Sequence, residues 1–389
     1  MKLSSFGLSA VAAYTVIVVV GRILYPFGDE PDFSARAPYL IFSEKSWIDP
    51  YYWLQSMLDG INLSSNCSIQ GGAFSFWSDI EFLTCSEPLP QVLRRIILTL
   101  FVSIPLIIAI CFHRKQKIRP APAHPAIVLG GSILLPGMTY YLGVLSYEQW
   151  TLVLSLLLVL VSRSYLIMGL IAVAVCAIDF GNGIVVLSYV LLTPIYRYFL
   201  RKKSLKFTVI VAVLQICVAG ILGLAFLSAA GSLSALENKA SAIEESLAGS
   251  DLVGKYPLIL RPAITFMTAI FMTPAFVKII PLYIVFGFAI FFGIIRLREY
   301  LNSLRMEEKK NSYELNEVNI ILTDAIVALT TICSIVFILP TYSNAKYYIF
   351  LAPILLRPAF LVYAKTSIFF FMLMSQVVVF FFLMAFRLN

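Results

Sequence analysis

Apolar runs near the length a helix needs to cross a hydrocarbon layer recur along the whole chain, parted by short polar or basic connections. The pattern predicts helices over about 6–25, 96–112, 125–145, 150–162, 165–178, 183–199, 207–228, 279–297, 317–338 and 367–386. No strand-like alternation points to a β-barrel. The first run follows Lys2 and has no small-residue cleavage site behind it, so it reads as a retained span. The expected fold class is an all-α polytopic membrane protein, a single transmembrane domain over 1–389. It has about ten crossings and two re-entrant or broken-helix segments.

Basic connections set the orientation, because Lys and Arg beside span ends stay on the cytoplasmic side. Three clusters carry this signal: His113-Arg114-Lys115-Gln116-Lys117, then Arg201-Lys202-Lys203 with Lys206, and the stretch from Arg296 to Lys310. All three fall inside when the amino terminus is inside. A single tilted helix over 150–178 would put the Arg201 cluster outside, so two short helices meeting at Ser162-Arg163-Ser164 are expected. By the same reasoning the apolar stretch 257–277 dips into the membrane without crossing, and both termini are cytoplasmic. Two outer connections are long. The first, 26–93, holds nine of the chain's 21 acidic residues with Trp47, Trp53 and Trp77, and is expected to form a small cap on the membrane surface. An oxidising outer compartment would allow its Cys67 and Cys85 to pair, a point the sequence leaves open. The second, 229–256, is rich in Ser, Ala and Glu, and reads equally as a surface helix or a plain connection.

Composition agrees with the pattern: 60% of residues are hydrophobic and 13% charged, and the mean hydropathy is +0.89, values no ordinary soluble globule has. The net charge of +8 belongs mainly to loops facing anionic headgroups, and no nucleic-acid partner is expected.

One heptapeptide occurs twice. Residues 257–263 read PLILRPA and residues 353–359 read PILLRPA, each placing an arginine, Arg261 or Arg357, inside an apolar stretch. Such an arginine costs from about 2.5 to more than 10 kcal/mol, so it is seldom kept without a partner or a task. Proline follows both. With no N–H to lose and φ suited to a first helical position, it would set each arginine at a helix start, where backbone N–H groups favour an anion. Both arginines are expected on the outer side, where a phosphate or diphosphate is the natural guest. Acids gather on that side too. Gly28-Asp29-Glu30-Pro31-Asp32-Phe33, followed by Arg36, stands just after the first span, and mutual repulsion of its carboxylates suits one of them to take up a proton. A solvated loop of ordinary acids is the alternative.

At these residues the chain resembles the membrane glycosyltransferases of the GT-C type, which use polyprenyl-linked sugar donors. They carry an Asp/Glu motif in a long first outer loop, the position of Asp29 and Glu30. The run Lys346-Tyr347-Tyr348-Ile349-Phe350-Leu351-Ala352-Pro353 is similar to their aromatic stretch before a late helix. Within that group the chain is most similar to the Wzy-type polymerases of O-antigen and capsule repeat units in the bacterial inner membrane. The resemblance implies that an acceptor hydroxyl on one undecaprenyl-diphosphate-linked unit attacks the anomeric carbon of another, releasing undecaprenyl diphosphate. It makes Asp29 or Glu30 the general base and gives Arg261 and Arg357, helped by Lys278 or Lys346, the leaving diphosphate. Asp32 and Arg36 join the substrate site. It further implies lipid-linked oligosaccharide substrates, surrounding lipids and a chain-length regulator as partners.

A diphosphate leaves readily, so no metal or other cofactor is expected, in keeping with the lack of an HExxH or cysteine-ligand spacing. Asp179-Phe180-Gly181 copies a kinase metal motif in letters alone and reads better as a turn. Asn62-Leu63-Ser64 and Asn66-Cys67-Ser68 are sequons best explained by chance. Glu148 is an understudy for the base, and Trp150 an interfacial anchor. Two rival functions stand beside polymerisation: transfer of one sugar from a polyprenyl monophosphate, and carriage or flipping of a polysaccharide precursor, since intramembrane arginines also line carrier paths.

Overall fold

The computed structural model describes residues 3–24, 67–71, 81–85, 89–112, 123–144, 146–230, 262–263, 265–267, 280–306, 308–338 and 346–386. Their body is helical, and several helices are apolar enough to span a membrane. By length and composition three qualify among the described residues: Gly181–Lys202, Leu205–Leu222 and Tyr313–Val336. A two-stranded antiparallel pair, β1 (Cys67–Gly71) and β2 (Glu81–Cys85), lies within the connection expected to form a cap. The chain divides into two compact units.

The first unit comprises residues 1–115, 125–184 and 365–389. Helix α1 (Leu3–Leu24) buries Phe6, Ala10, Tyr14 and Val18, four apolar side chains a turn apart, and exposes Leu8 and Val16 on its other face. It packs on α2 (Leu89–Val102) and α3 (Ile104–Phe112), where the Tyr14 and Ser103 hydroxyls meet at 2.8 Å. The start of α1 lies beside the end of α3, since a Cβ on Gly7 would stand 3.1 Å from the Ile110 carbonyl.

The stretch 125–145, expected as a span, is a pair of helices, α4 (Pro125–Ser132) and α5 (Pro136–Gly143), bent by 80°. Pro136 explains the break: it offers no N–H to the previous turn and its ring crowds the carbonyl there. The carbonyls so freed find other donors. Thr139 gives its hydroxyl to Ile133 at 2.8 Å, and Gln376 gives its amide to Leu134 at 2.9 Å.

Helices α6 (Tyr147–Val161) and α7 (Tyr165–Ile178) form a hairpin broken at residues 162–164, as the loop charges required. On α7 the alternation of faces is clear: Met168, Ala172 and Val175 are buried, whereas Leu166, Leu170 and Val173 are exposed, a stripe suited to lipid. Helix α8 (Phe180–Lys202) then starts on a cap made by Asp179, whose carboxylate accepts the Gly181 N–H at 3.0 Å and the Asn182 N–H at 3.3 Å. Asp179 is a structural cap, as its letters in a turn suggested. Helix α15 (Lys365–Phe386) closes the unit with Phe369 edge-on to Phe6, ring centroids 6.0 Å apart.

The second unit holds residues 116–124 and 185–364. After the inner part of α8 come α9 (Leu205–Ala230), α10 (Ile280–Met306) and α11 (Glu308–Ile338). α9 and α10 both pack on α11. The connection from α10 to α11 is tight and is braced by the Tyr300 hydroxyl, which donates to Glu314 at 2.6 Å. Burial, then that carboxylate, holds the Tyr300 phenol above the ordinary tyrosine range. Three short helices follow, α12 (Lys346–Phe350), α13 (Ala352–Leu356) and α14 (Ala359–Val362), a broken helix that lies along α11.

Candidate functional site

One face of α8 presents Tyr189, Thr193 and Arg197, each a turn after the last. Arg197 meets Asp324 of α11 in a two-pronged pair, with Nε to Oδ1 at 2.9 Å and Nη2 to Oδ2 at 2.7 Å. The side chains are 10% and 3% exposed. Asp324 stands midway along the apolar run Tyr313–Val336, where a lone carboxylate would be strongly disfavoured. The matched fork supplies the compensation, since an arginine meets a carboxylate with two parallel hydrogen bonds. Tyr189 is fully buried, and its phenol lies within electrostatic reach of Asp324, Arg197 and Arg357. Among the described residues its hydroxyl makes no hydrogen bond of ordinary geometry. The neighbouring Thr193 hydroxyl gives its proton to the Tyr189 carbonyl at 2.7 Å. Two guanidiniums, a carboxylate and a phenol thus share one dry region of the second unit.

Arg357 differs from expectation in two respects. Pro358 adopts φ −60° and ψ −33°, ordinary helical values, so the chain continues through it and Arg357 ends α13 where a helix start was expected. Its surroundings also differ. The guanidinium is buried, and its Nε donates to the carbonyl of Ala123 at 3.3 Å, in the connection that follows the basic run 113–117. Further along, Leu361 packs with Leu304, Val318 and Leu322 beside Leu205 and Leu301, at the helix ends that adjoin the other two basic clusters. The Tyr363 ring lies 5.4 Å from the Arg296 guanidinium and against Gly293, and its hydroxyl donates to the Ala289 carbonyl. At the other end of the same segment Tyr348 stands 3.9 Å from Cys333. From the level of Cys333 to that of Leu322 the segment therefore descends about 17 Å along α11, at 1.5 Å per residue. The segment thus follows α11 between these two levels, and Arg357 lies between them.

The two heptapeptides nevertheless meet. Tyr348, five residues before the second copy, donates its hydroxyl to the carbonyl of Pro262 in the first at 2.9 Å, and its ring packs edge-on to Phe266 at 5.1 Å. Pro262 is buried there, and Lys346, half-buried, begins α12 two residues before Tyr348. Arg261, Lys278, Asp29, Glu30, Asp32 and Arg36 lie outside the described residues. Glu148 is buried in the first turn of α6, whose cap is Ser146. Its neighbour Gln149 ties Thr99 and Leu142 together through their carbonyls at 3.1 and 2.8 Å, so this corner is packed structure.

Sequence reasoning passed over Arg197 and Asp324. The signal was present: each interrupts an apolar run, the same criterion that singled out Arg261 and Arg357. Comparison of the chain with protein-family models, with curated proteins and with solved structures gives no match.

Proposed function

We propose that the protein is a membrane glycosyltransferase that joins oligosaccharide units carried on a polyprenyl diphosphate, acting on the side of the membrane away from the basic loops. The observation that carries this reading is the hydrogen bond from Tyr348 to Pro262. It holds Pro262 of the first heptapeptide beside the start of the segment that carries Lys346, at the end of the second unit remote from the basic clusters, and in this reading Arg261 and Lys346 serve one mouth. Lys278 and Arg36 complete the cationic set, and Asp32 orients the acceptor. Asp29 or Glu30 takes the proton from the acceptor hydroxyl as its oxygen attacks the anomeric carbon; the bond from that carbon to the diphosphate oxygen breaks, and the cations neutralise the departing charge. Arg357 takes a different task from the one first expected: it anchors the broken helix α12–α14 from below.

The accompanying topology has about eleven crossings, with 346–362 counted as one. The amino terminus is inside. The carboxy terminus is outside, contrary to the expectation that both are cytoplasmic, and the contact between Phe6 near the start of α1 and Phe369 near the start of α15 supports this. Lys365 then joins the cytoplasmic positive charge. The membrane is the bacterial inner membrane, and the partners are lipid-linked oligosaccharides and a chain-length regulator.

A glycan ladder tests the reading. Asp29→Asn, Glu30→Gln and Arg261→Ala, assayed at normal protein levels, are expected to abolish long chains while single capped units persist; loss of the general base alone is worth about 10²–10⁴-fold in rate. Full-length polymer from all three variants refutes the assignment. The buried group of Arg197, Asp324 and Tyr189, midway along α11, favours carriage of the lipid-linked precursor as the second reading. A flippase defect removes the capped single units as well, so the same ladder separates the two.

A further inference from the structure

We propose that Cys67 and Cys85 are joined by a disulfide that closes the base of the β1–β2 hairpin, making the first outer connection a covalently stapled cap. The inference begins from register. β1 and β2 pair antiparallel with Cys67 opposite Cys85, Ser68 opposite Thr84, Ile69 opposite Leu83, Gln70 opposite Phe82 and Gly71 opposite Glu81. Residues directly opposite in an antiparallel pair have Cα atoms about 4.5–5.5 Å apart, inside the range of about 4.4–6.8 Å that a disulfide spans. The two cysteines are the first residue of β1 and the last of β2, where a cross-link encloses the whole hairpin.

Stability gives the second reason. Each strand has five residues, and a two-stranded ribbon of that length is marginal in water unless something holds it. A slip of one residue would turn every side chain to the opposite face, and a bond between opposed cysteines forbids the slip. The remaining four cysteines, Cys111, Cys176, Cys217 and Cys333, lie on apolar helices and carry free thiols, so the cross-link draws on no other pair.

The step balances as thiol–disulfide exchange. The two thiols give up two protons and two electrons, the sulfur–sulfur bond forms, and the disulfide of an oxidoreductase in the outer compartment is reduced to a dithiol. The proposal rests on the part of the functional reading that puts residues 26–93 outside the cytosol, and is independent of the transferase chemistry.

The test uses the full-length protein in its native membrane, with Cys111, Cys176, Cys217 and Cys333 replaced by alanine. Free thiols are blocked with N-ethylmaleimide, the protein is reduced, and a bulky maleimide is added. Two labels are expected, taken up only after reduction, and Cys67→Ser or Cys85→Ser is expected to leave one thiol that is blocked at the first step. In the unsubstituted protein, cleavage after Glu81 separates the two cysteines along the chain, and the fragments are expected to stay linked until reduced. Labelling of both residues by a membrane-impermeant maleimide on intact, unreduced cells overturns the disulfide while the loop remains outside. Labelling that needs opened cells overturns both the disulfide and the topology. A reducible dimer in place of the internal link also overturns the proposal.

Discussion

At the scale of single residues, the ion pair of Arg197 and Asp324 is the most exacting feature of the molecule. Two charges withdrawn from water hold each other through matched hydrogen bonds, and removing one takes from the other its opposite charge, typically a loss of about 3–5 kcal/mol for a buried pair. Arg197→Ala and Asp324→Ala are each expected to reduce the level of folded protein and lower its thermal transition in detergent by that margin. The double replacement Arg197→Leu with Asp324→Leu is expected to recover most of the stability, since apolar side chains leave no orphan charge. Equal loss in the single and double variants would mean that the pair has a role beyond mutual compensation. Arg357 shows how a residue can be singled out by its cost while its contacts stay hidden. Its cost inside an apolar stretch was legible; that it donates to the carbonyl of Ala123, far away in the chain, was not.

At the scale of elements, helix boundaries follow local chemistry closely. Serines and Arg163 part α6 from α7, Asp179 caps α8, and Pro136 bends α4 against α5. What local chemistry leaves open is how near two helices come. A Cβ built on Gly183 would lie 2.4 Å from the Cys176 Cα and 2.7 Å from its nitrogen, so α7 and α8 touch backbone to backbone there. Gly183→Ala is expected to force the helices apart at a cost of about 1–3 kcal/mol, read as a lower thermal transition. Gly169 and Gly220 have open space at the same position, and alanine at either is expected to be neutral or to stabilise by up to about 1 kcal/mol through helix propensity. Equal behaviour of the three variants would refute the close approach. The course of the broken helix α12–α14 is not legible in its composition. Short helical pieces interrupted at Leu351 and Arg357 look like a dip when judged by apolar length, because length does not say which neighbours hold the two ends.

At the scale of the whole molecule, the crossing proposed for 346–362 changes the parity of the spans. If 346–362 passes through, as proposed, α15 leaves from the cytoplasmic side and the carboxy terminus emerges outside. A reporter fused after Asn389 is expected to be active when it is an enzyme that needs the outer compartment, and dark when it is a fluorescent protein that needs the cytosol. The opposite pair of results restores the even count and returns Arg357 to the outer face. The sequence by itself determined the class, many of the helical segments and the residues whose burial demands compensation, because hydropathy, proline and charge act over one or two turns. Tertiary structure alone decided that Asp324 answers Arg197, that Tyr348 holds Pro262, and that Arg357 sits deep beside Ala123. Those pairings join residues remote in the chain, and a buried charge or carbonyl specifies only that some partner must exist, leaving its identity to the packing of the helices.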